Sequence, residues 1–187
     1  MKKIIIACLF IMSYSGAMNA QEKLKINTAK SSLQWFGYYT FYFGGHNGDI
    51  NFKEGYFLKT GNMITGGEFI IDMNSITSKD IENPKANKSL VNHLKNEDFF
   101  DVSKHSEAKL VITKVQYHDT THMKVYANLT IKGITKSIEF QAEVNFEKKQ
   151  MTTKFKIDRT RWGINYNSKM KDGAISDAIG FEVTLSL

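Results

Sequence analysis

On either side of Lys132 and Gly133 the chain alternates with a period of two. Val125, Ala127, Leu129 and Ile131 precede the turn and Ile138, Phe140, Ala142 and Val144 follow it, with Lys124, Asn128, Thr130, Glu139, Gln141 and Glu143 between them. Successive side chains of a strand point to opposite faces, so this pattern dictates an antiparallel hairpin with one face on a core and the other in water. The same unit recurs at Gly67 to Met73, Ala108 to Val115, Thr152 to Asp158 and Asp177 to Leu187. A polar lead-in, Gln21 to Ser31, precedes two further strands expected at Ser32 to Phe43, where aromatic residues occupy both faces, and at Asp49 to Leu58, and a polar loop from Asn165 to Gly173 precedes the last strand. Glycine- and asparagine-rich turns lie between them at Gly44 to Gly48 and Thr60 to Asn62, and polar turns at His118 to Thr121 and Glu147 to Gln150. A twisted sheet of roughly eight strands joined by short turns closes or splits, which makes an up-and-down barrel or a sandwich the expected all-β form.

One stretch departs from this period. Between Asn74 and Phe100, the chain's single proline, Pro84, follows Asn83 as a first helical residue follows its cap, and Ala86, Leu90, Val91, His93 and Leu94 fall at helical spacing. A short helix is expected at Pro84 to Lys95, and a helix of that length needs a dock for its apolar face.

The first twenty residues have the order of a secretory signal peptide: Lys2 and Lys3, an apolar run from Ile4 to Met12, then small and polar residues to Ala20. Cleavage is expected after Ala20. The single cysteine, Cys8, lies in that run, so the processed chain holds no disulfide and depends on its core. That suits export to a bacterial periplasm. Loss of Lys2 and Lys3 from the 25 basic residues, against 19 acids, leaves a net charge of about +4. The lysines are dispersed, which fits solubility and a weak preference for anionic surfaces, not a nucleic-acid footprint.

Several motifs, in order, resemble the YceI-like family of lipid- or polyisoprenoid-binding proteins. They are Trp35, then His46 and Gly48, Gly67 with Phe69, and Asp72 to Ile76. They continue with His93-Leu94-Lys95 and Asp98 to Val102, Leu129 to Gly133, Asp158-Arg159 with Gly163-Ile164, and the strand Ile175 to Leu187. The resemblance spans nearly all of the chain after the signal segment. It implies an eight-stranded antiparallel lipocalin-like barrel with one helical excursion, exported to the periplasm. The implied ligand is a long-chain amphiphile such as an isoprenoid quinone, a polyisoprenoid or a fatty-acid derivative.

Strand parity supplies a candidate lining for the barrel: Trp35, Tyr39, Phe41, Phe69, Ile71, Leu110, Ile112, Leu129, Phe140, Val144, Phe155, Ile157, Phe181 and Val183. Arg159 shares the parity of Phe155 and Ile157 and needs an anion, either a ligand head group or a carboxylate such as Asp72, Asp98 or Asp101. The alternative is an interior filled by these side chains, a barrel serving as a structural or partner-binding module of the cell envelope. Catalysis ranks below both. His118 and His122 have metal-ligand spacing for a helix but flank a hairpin turn, His93 sits at a docking position, and Glu97, Asp98 and Asp101 lie in a connection. No catalytic residue and no metal are therefore assigned, and the expected partner is a lipid, with transient membrane contact and homodimerisation left open.

Overall fold

The alternation becomes strand along almost its whole extent in the computed structural model, which describes residues 21–41, 43–166 and 175–187. The expected signal segment and most of the loop expected at Asn165 to Gly173 fall outside those residues. The strands are β1 (Glu22–Lys25), β2 (Ser32–Tyr39), β3 (Gly45–Asp49), β4 (Asn51–Thr60), β5 (Met63–Asp72), β6 (Glu107–Tyr117), β7 (His122–Ile131), β8 (Ile134–Asn145), β9 (Gln150–Asp158) and β10 (Ile175–Ser186), with helix α1 (Pro84–Lys95) between β5 and β6. They form one antiparallel sheet in the order β1-β4-β5-β6-β7-β8-β9-β10-β2-β3.

Ten segments replace the expected eight strands because two stretches not read as strand, part of the lead-in before Ser32 and Gly45–Asp49, pair into the sheet as β1 and β3. Only Ile50 separates β3 from β4, while a turn at residues 28–30 lies between β1 and β2. Since β3 pairs with β2 while its continuation β4 pairs with β5, the two ends of the order meet and the sheet curls into the lipocalin-like barrel. The Gly133 turn behaves as read: Lys132 (φ 50) and Gly133 (φ 72) both take left-handed backbone, as a tight two-residue hairpin requires.

Three local expectations are corrected. Gly45–Asp49 is strand, not turn, because pairing with β2 from Tyr38↔Gly45 to Gln34↔Asp49 overrides the poor strand propensity of glycine. The lead-in Gln21 to Ser31 contains β1, held by its ladder to β4 and not by an apolar face. The aromatic strand ends at Tyr39, so Phe41 has left the sheet and is 72% exposed.

The excursion closes against the barrel at Gly48. A Cβ there would lie 1.8 Å from the Thr77 carbonyl oxygen, which also accepts the Trp35 indole N–H at 2.9 Å. Gly48→Ala must push this backbone away, and we expect a loss of about 1–3 kcal/mol, read as a lowered urea midpoint. An unchanged midpoint would show that the contact is dispensable.

Helix α1 starts where read, with the Asn83 side chain accepting the Lys85 and Ala86 N–H groups at 3.0 Å. It buries Leu94 and packs Leu90 and Val91 on the core. Together with the β2–β3 and β7–β8 turns and the connection after β9, it lies at one end of the barrel. The hairpins after β4, β6 and β8 mark the other.

The ladder parts between β8 and β9. The β8–β9 ladder covers only Ala142↔Thr153 to Asn145↔Gln150, which leaves the first part of β8 without a β9 neighbour. Its exposed carbonyls are met by side chains: Thr153 Oγ1 donates to Gln141 O, and the Arg161 guanidinium donates to Ser137 O at 3.0 Å. A 3₁₀ turn, Arg159–Trp162, contacts both β8 and β10 and fills the gap with Trp162, which is fully buried.

Candidate functional site: an apolar cavity with a polar mouth

The inward residues do not fill the barrel. A deep cavity of about 70 Å³ is bordered by side chains of β2 and β4 to β10 together with Ile50, Met73 and Phe100. Every one is apolar except Thr153, whose hydroxyl is turned to the Gln141 carbonyl. Ile50, Phe100 and Phe181 also border a second space of about 350 Å³ at the α1 end, so the two spaces adjoin across these three side chains. That wider space is the mouth, between β2, β3 and the start of β10 on one side and Leu90, His93 and Leu94 of α1 on the other.

Polar groups gather at this mouth. The His46 ring bridges two residues, with Nδ1 2.7 Å from Asp80 Oδ2 and Nε2 3.0 Å from the Tyr39 hydroxyl. Burial raises the Asp80 pKa, but hydrogen bonds from the Asn47 N–H and the His46 ring together outweigh it and hold the carboxyl below its usual range. An ionised Asp80 accepts, so His46 Nδ1 donates to it and Nε2 is the atom that meets the Tyr39 hydroxyl. Across the mouth, His93 packs edge-on against Tyr166, with ring centroids 4.4 Å apart. Its Nδ1 lies 3.7 Å from Asp98, while Nε2 is buried with no hydrogen-bond partner among the described residues. A buried, unpaired ring nitrogen on a cavity wall is a place for a ligand's polar atom.

A family model described as the YceI-like domain matches residues 24–187. The chain belongs to the YceI-like family. A UPF0312 protein of Staphylococcus aureus (strain USA300) is 33% identical over 98 residues, 48% of this chain and 54% of that one. A UPF0312 protein of Vibrio parahaemolyticus is 32% identical over 114 residues, 53% and 58% of the two chains. These alignments span only about half the length of either relative. Among solved structures, Burkholderia cenocepacia BcnA superposes with a TM-score of 0.70 at 16% identity, covering 86% of this chain and 98% of that one. A mutant Campylobacter jejuni YCEI protein gives 0.51 at 18% identity over 96% and 97%. At such identities the likeness is one of fold.

In this YceI-like barrel, Phe69, Ile71, Leu110, Ile112, Leu129, Phe140, Phe155, Phe181 and Val183 border the deep cavity, and Trp35 and Tyr39 the mouth. Three expected lining residues lie elsewhere. Phe41 points to solvent for the reason given above. Val144 is buried but borders a separate pocket at the far end beside Phe146 and Leu187. Ile157 is buried beside the outer cleft where β8 leaves β9.

Arg159 points inward and is 2% exposed, but its partners are none of the three carboxylates considered. Nε donates to Ser176 O at 3.2 Å, Nη1 to Ile164 O, and Nη2 to Tyr166 O at 3.0 Å and Asp177 Oδ1 at 2.9 Å. The guanidinium is committed to chain carbonyls and ties the stretch after β9 to the start of β10. Asp101 instead takes Lys104 at 3.2 Å and Ser103, within the connection after α1.

Parity would have found Leu33, Met151 and Leu185, which continue the inward faces of β2, β9 and β10. No local signal marks Phe100, Tyr166 or His93 as cavity walls, because they come from irregular chain or from a helix whose dock is set by the whole barrel.

Proposed function

We propose that this protein is a periplasmic carrier for a long-chain amphiphile of the isoprenoid or acyl class, held tail-inward with its head at the α1 end. The observation that carries the reading is a deep apolar cavity adjoined at the α1 end by a wider space, where Tyr39, His46 and His93 gather. Burying about ten methylenes supplies roughly 8 kcal/mol gross, the scale of a micromolar constant before the costs of association. The tail therefore supplies affinity, and Tyr39, His46 and His93 orient the head. Export rests on the signal-like order of the first twenty residues.

The chain is read as a binding protein and not an enzyme: of the acid–base candidates, Asp101 is held as described and His122 Nδ1 lies 2.9 Å from Asp119 in the β6–β7 turn, while His93 is left to a ligand's head group. The narrowness of the deep cavity, about 70 Å³, favours one second reading, a barrel filled by its own side chains that serves as a partner-binding module.

Mass spectrometry of an organic extract of the protein purified from its own host separates the two. We expect a stoichiometric isoprenoid or acyl species, lost from Leu129→Glu, which sets a charge on the wall of the deep cavity, after its fold has been checked by circular dichroism. An empty wild-type protein would overturn the carrier reading and leave the filled barrel.

A further inference from the structure

The turn between β2 and β3 leaves the sheet at Tyr39 and returns at Gly45, closed by the Tyr39 N–H donating to Gly44 O at 3.2 Å. Phe41, 72% exposed, and Phe43, fully exposed at 107%, project from it. Exposing two phenylalanines on one short tip has no folding benefit, since neither touches the core. The residues on either side of the tip, Tyr38, Tyr39, Gly45 and His46, are walls of the mouth, so the two rings stand on its rim. Lys156 lies 4.4 Å over the Tyr38 ring at the same rim.

The opposite lip is α1. Its inner face gives Leu90, His93 and Leu94 to the mouth, and by helical spacing Lys85 and Lys88 lie on the reverse face, where both are exposed. The helix holds no Asp or Glu, and among the described residues neither lysine has a carboxylate within ion-pair distance. One lip thus carries free aromatic rings and the other free cations, the two chemistries that seat a protein at a phospholipid interface. The far end also exposes apolar side chains, Met63 at 50%, Phe146 at 47% and Leu187 at 40%, but each is about half covered and they do not flank the mouth.

We propose that the β2–β3 tip and the outer face of α1 form a docking rim that sets the cavity mouth on an anionic phospholipid bilayer, Phe41 and Phe43 entering the interface and Lys85 and Lys88 meeting head groups. The inference rests on the carrier reading for its purpose, since a ligand insoluble in water has to pass between membrane and cavity without crossing solvent.

The test is flotation of the purified protein with vesicles of phosphatidylethanolamine and phosphatidylglycerol, and with vesicles of phosphatidylcholine alone. Phe41→Ser/Phe43→Ser is expected to lower partitioning by about tenfold or more on both, with an unchanged melting temperature because both rings are exposed. Lys85→Glu/Lys88→Glu should weaken binding severalfold on anionic vesicles only, an effect that high salt reproduces. The far-end variant Met63→Ser/Phe146→Ser should float as wild type does. A tip variant that floats like wild type, or a far-end variant that fails to float, overturns the rim. Protein that yields a lipid on extraction yet never floats overturns the rim and leaves the carrier standing. Flotation through the tip by protein that is always empty supports the rim and removes the carrier reading.

Discussion

Trp162→Ala is expected to cost about 3–5 kcal/mol of folding stability, the scale for emptying a fully buried aromatic site. The loss has two sources. The indole fills the gap where β8 parts from β9, and its Nε1–H donates to the Leu129 carbonyl at 3.1 Å. Trp162→Phe separates them: it restores much of the packing but leaves that carbonyl without its donor, and should recover all but about 1–3 kcal/mol. Urea unfolding of both variants reads the difference. An alanine variant within 1 kcal/mol of wild type, on the scale of an ordinary surface change, would mean that the barrel closes over the gap without its wedge.

Arg159→Met should be as damaging, at about 3–5 kcal/mol, although methionine fills a similar space. Its guanidinium satisfies the carbonyls of Ile164, Tyr166 and Ser176 in a site 2% exposed, and each would be left unpaired in the variant. The ion pair with Asp177 contributes little of this, since that carboxylate is 64% exposed and water replaces the contact. Asp177→Asn is therefore expected to fall within about 1 kcal/mol of wild type. Arg159→Lys should recover only a small part, because an ammonium does not reproduce the fork that reaches three carbonyls. Were Arg159 a head-group ligand instead, Arg159→Met would fold normally and lose only its lipid. Urea midpoints set beside the extracted lipid content decide between the two.

The two residues show how unevenly sequence speaks about this barrel. The apolar face of β7 and β8 is legible residue by residue from Val125 to Val144, since period two is a local property and one wet face leaves it clean. The α1 cap is legible for the same reason: the Asn83 side chain and the amides it accepts lie within three residues. Arg159 is legible as inward but not as paired, because its partners lie in chain that returns from elsewhere. Phe41 continues the parity of Trp35 and Tyr39, and parity carries no information about where a strand stops. Its end is set by the Tyr39 to Gly44 closure. The glycines of Gly45–Asp49 look like a turn alone and become strand only because β2 offers them a ladder.

What the sequence by itself determined is the wall: antiparallel strands with one apolar face, a capped helix, tight turns, and with them an apolar interior face. These follow from neighbours in the chain, whose geometry is set by backbone sterics and a two- or 3.6-residue period. What only the tertiary structure decided is the opening: which end stays wide, which side chains edge it, and where β8 leaves β9 so that Trp162 must fill the space. Those features depend on residues far apart in sequence meeting at contact distance, and no local period encodes that.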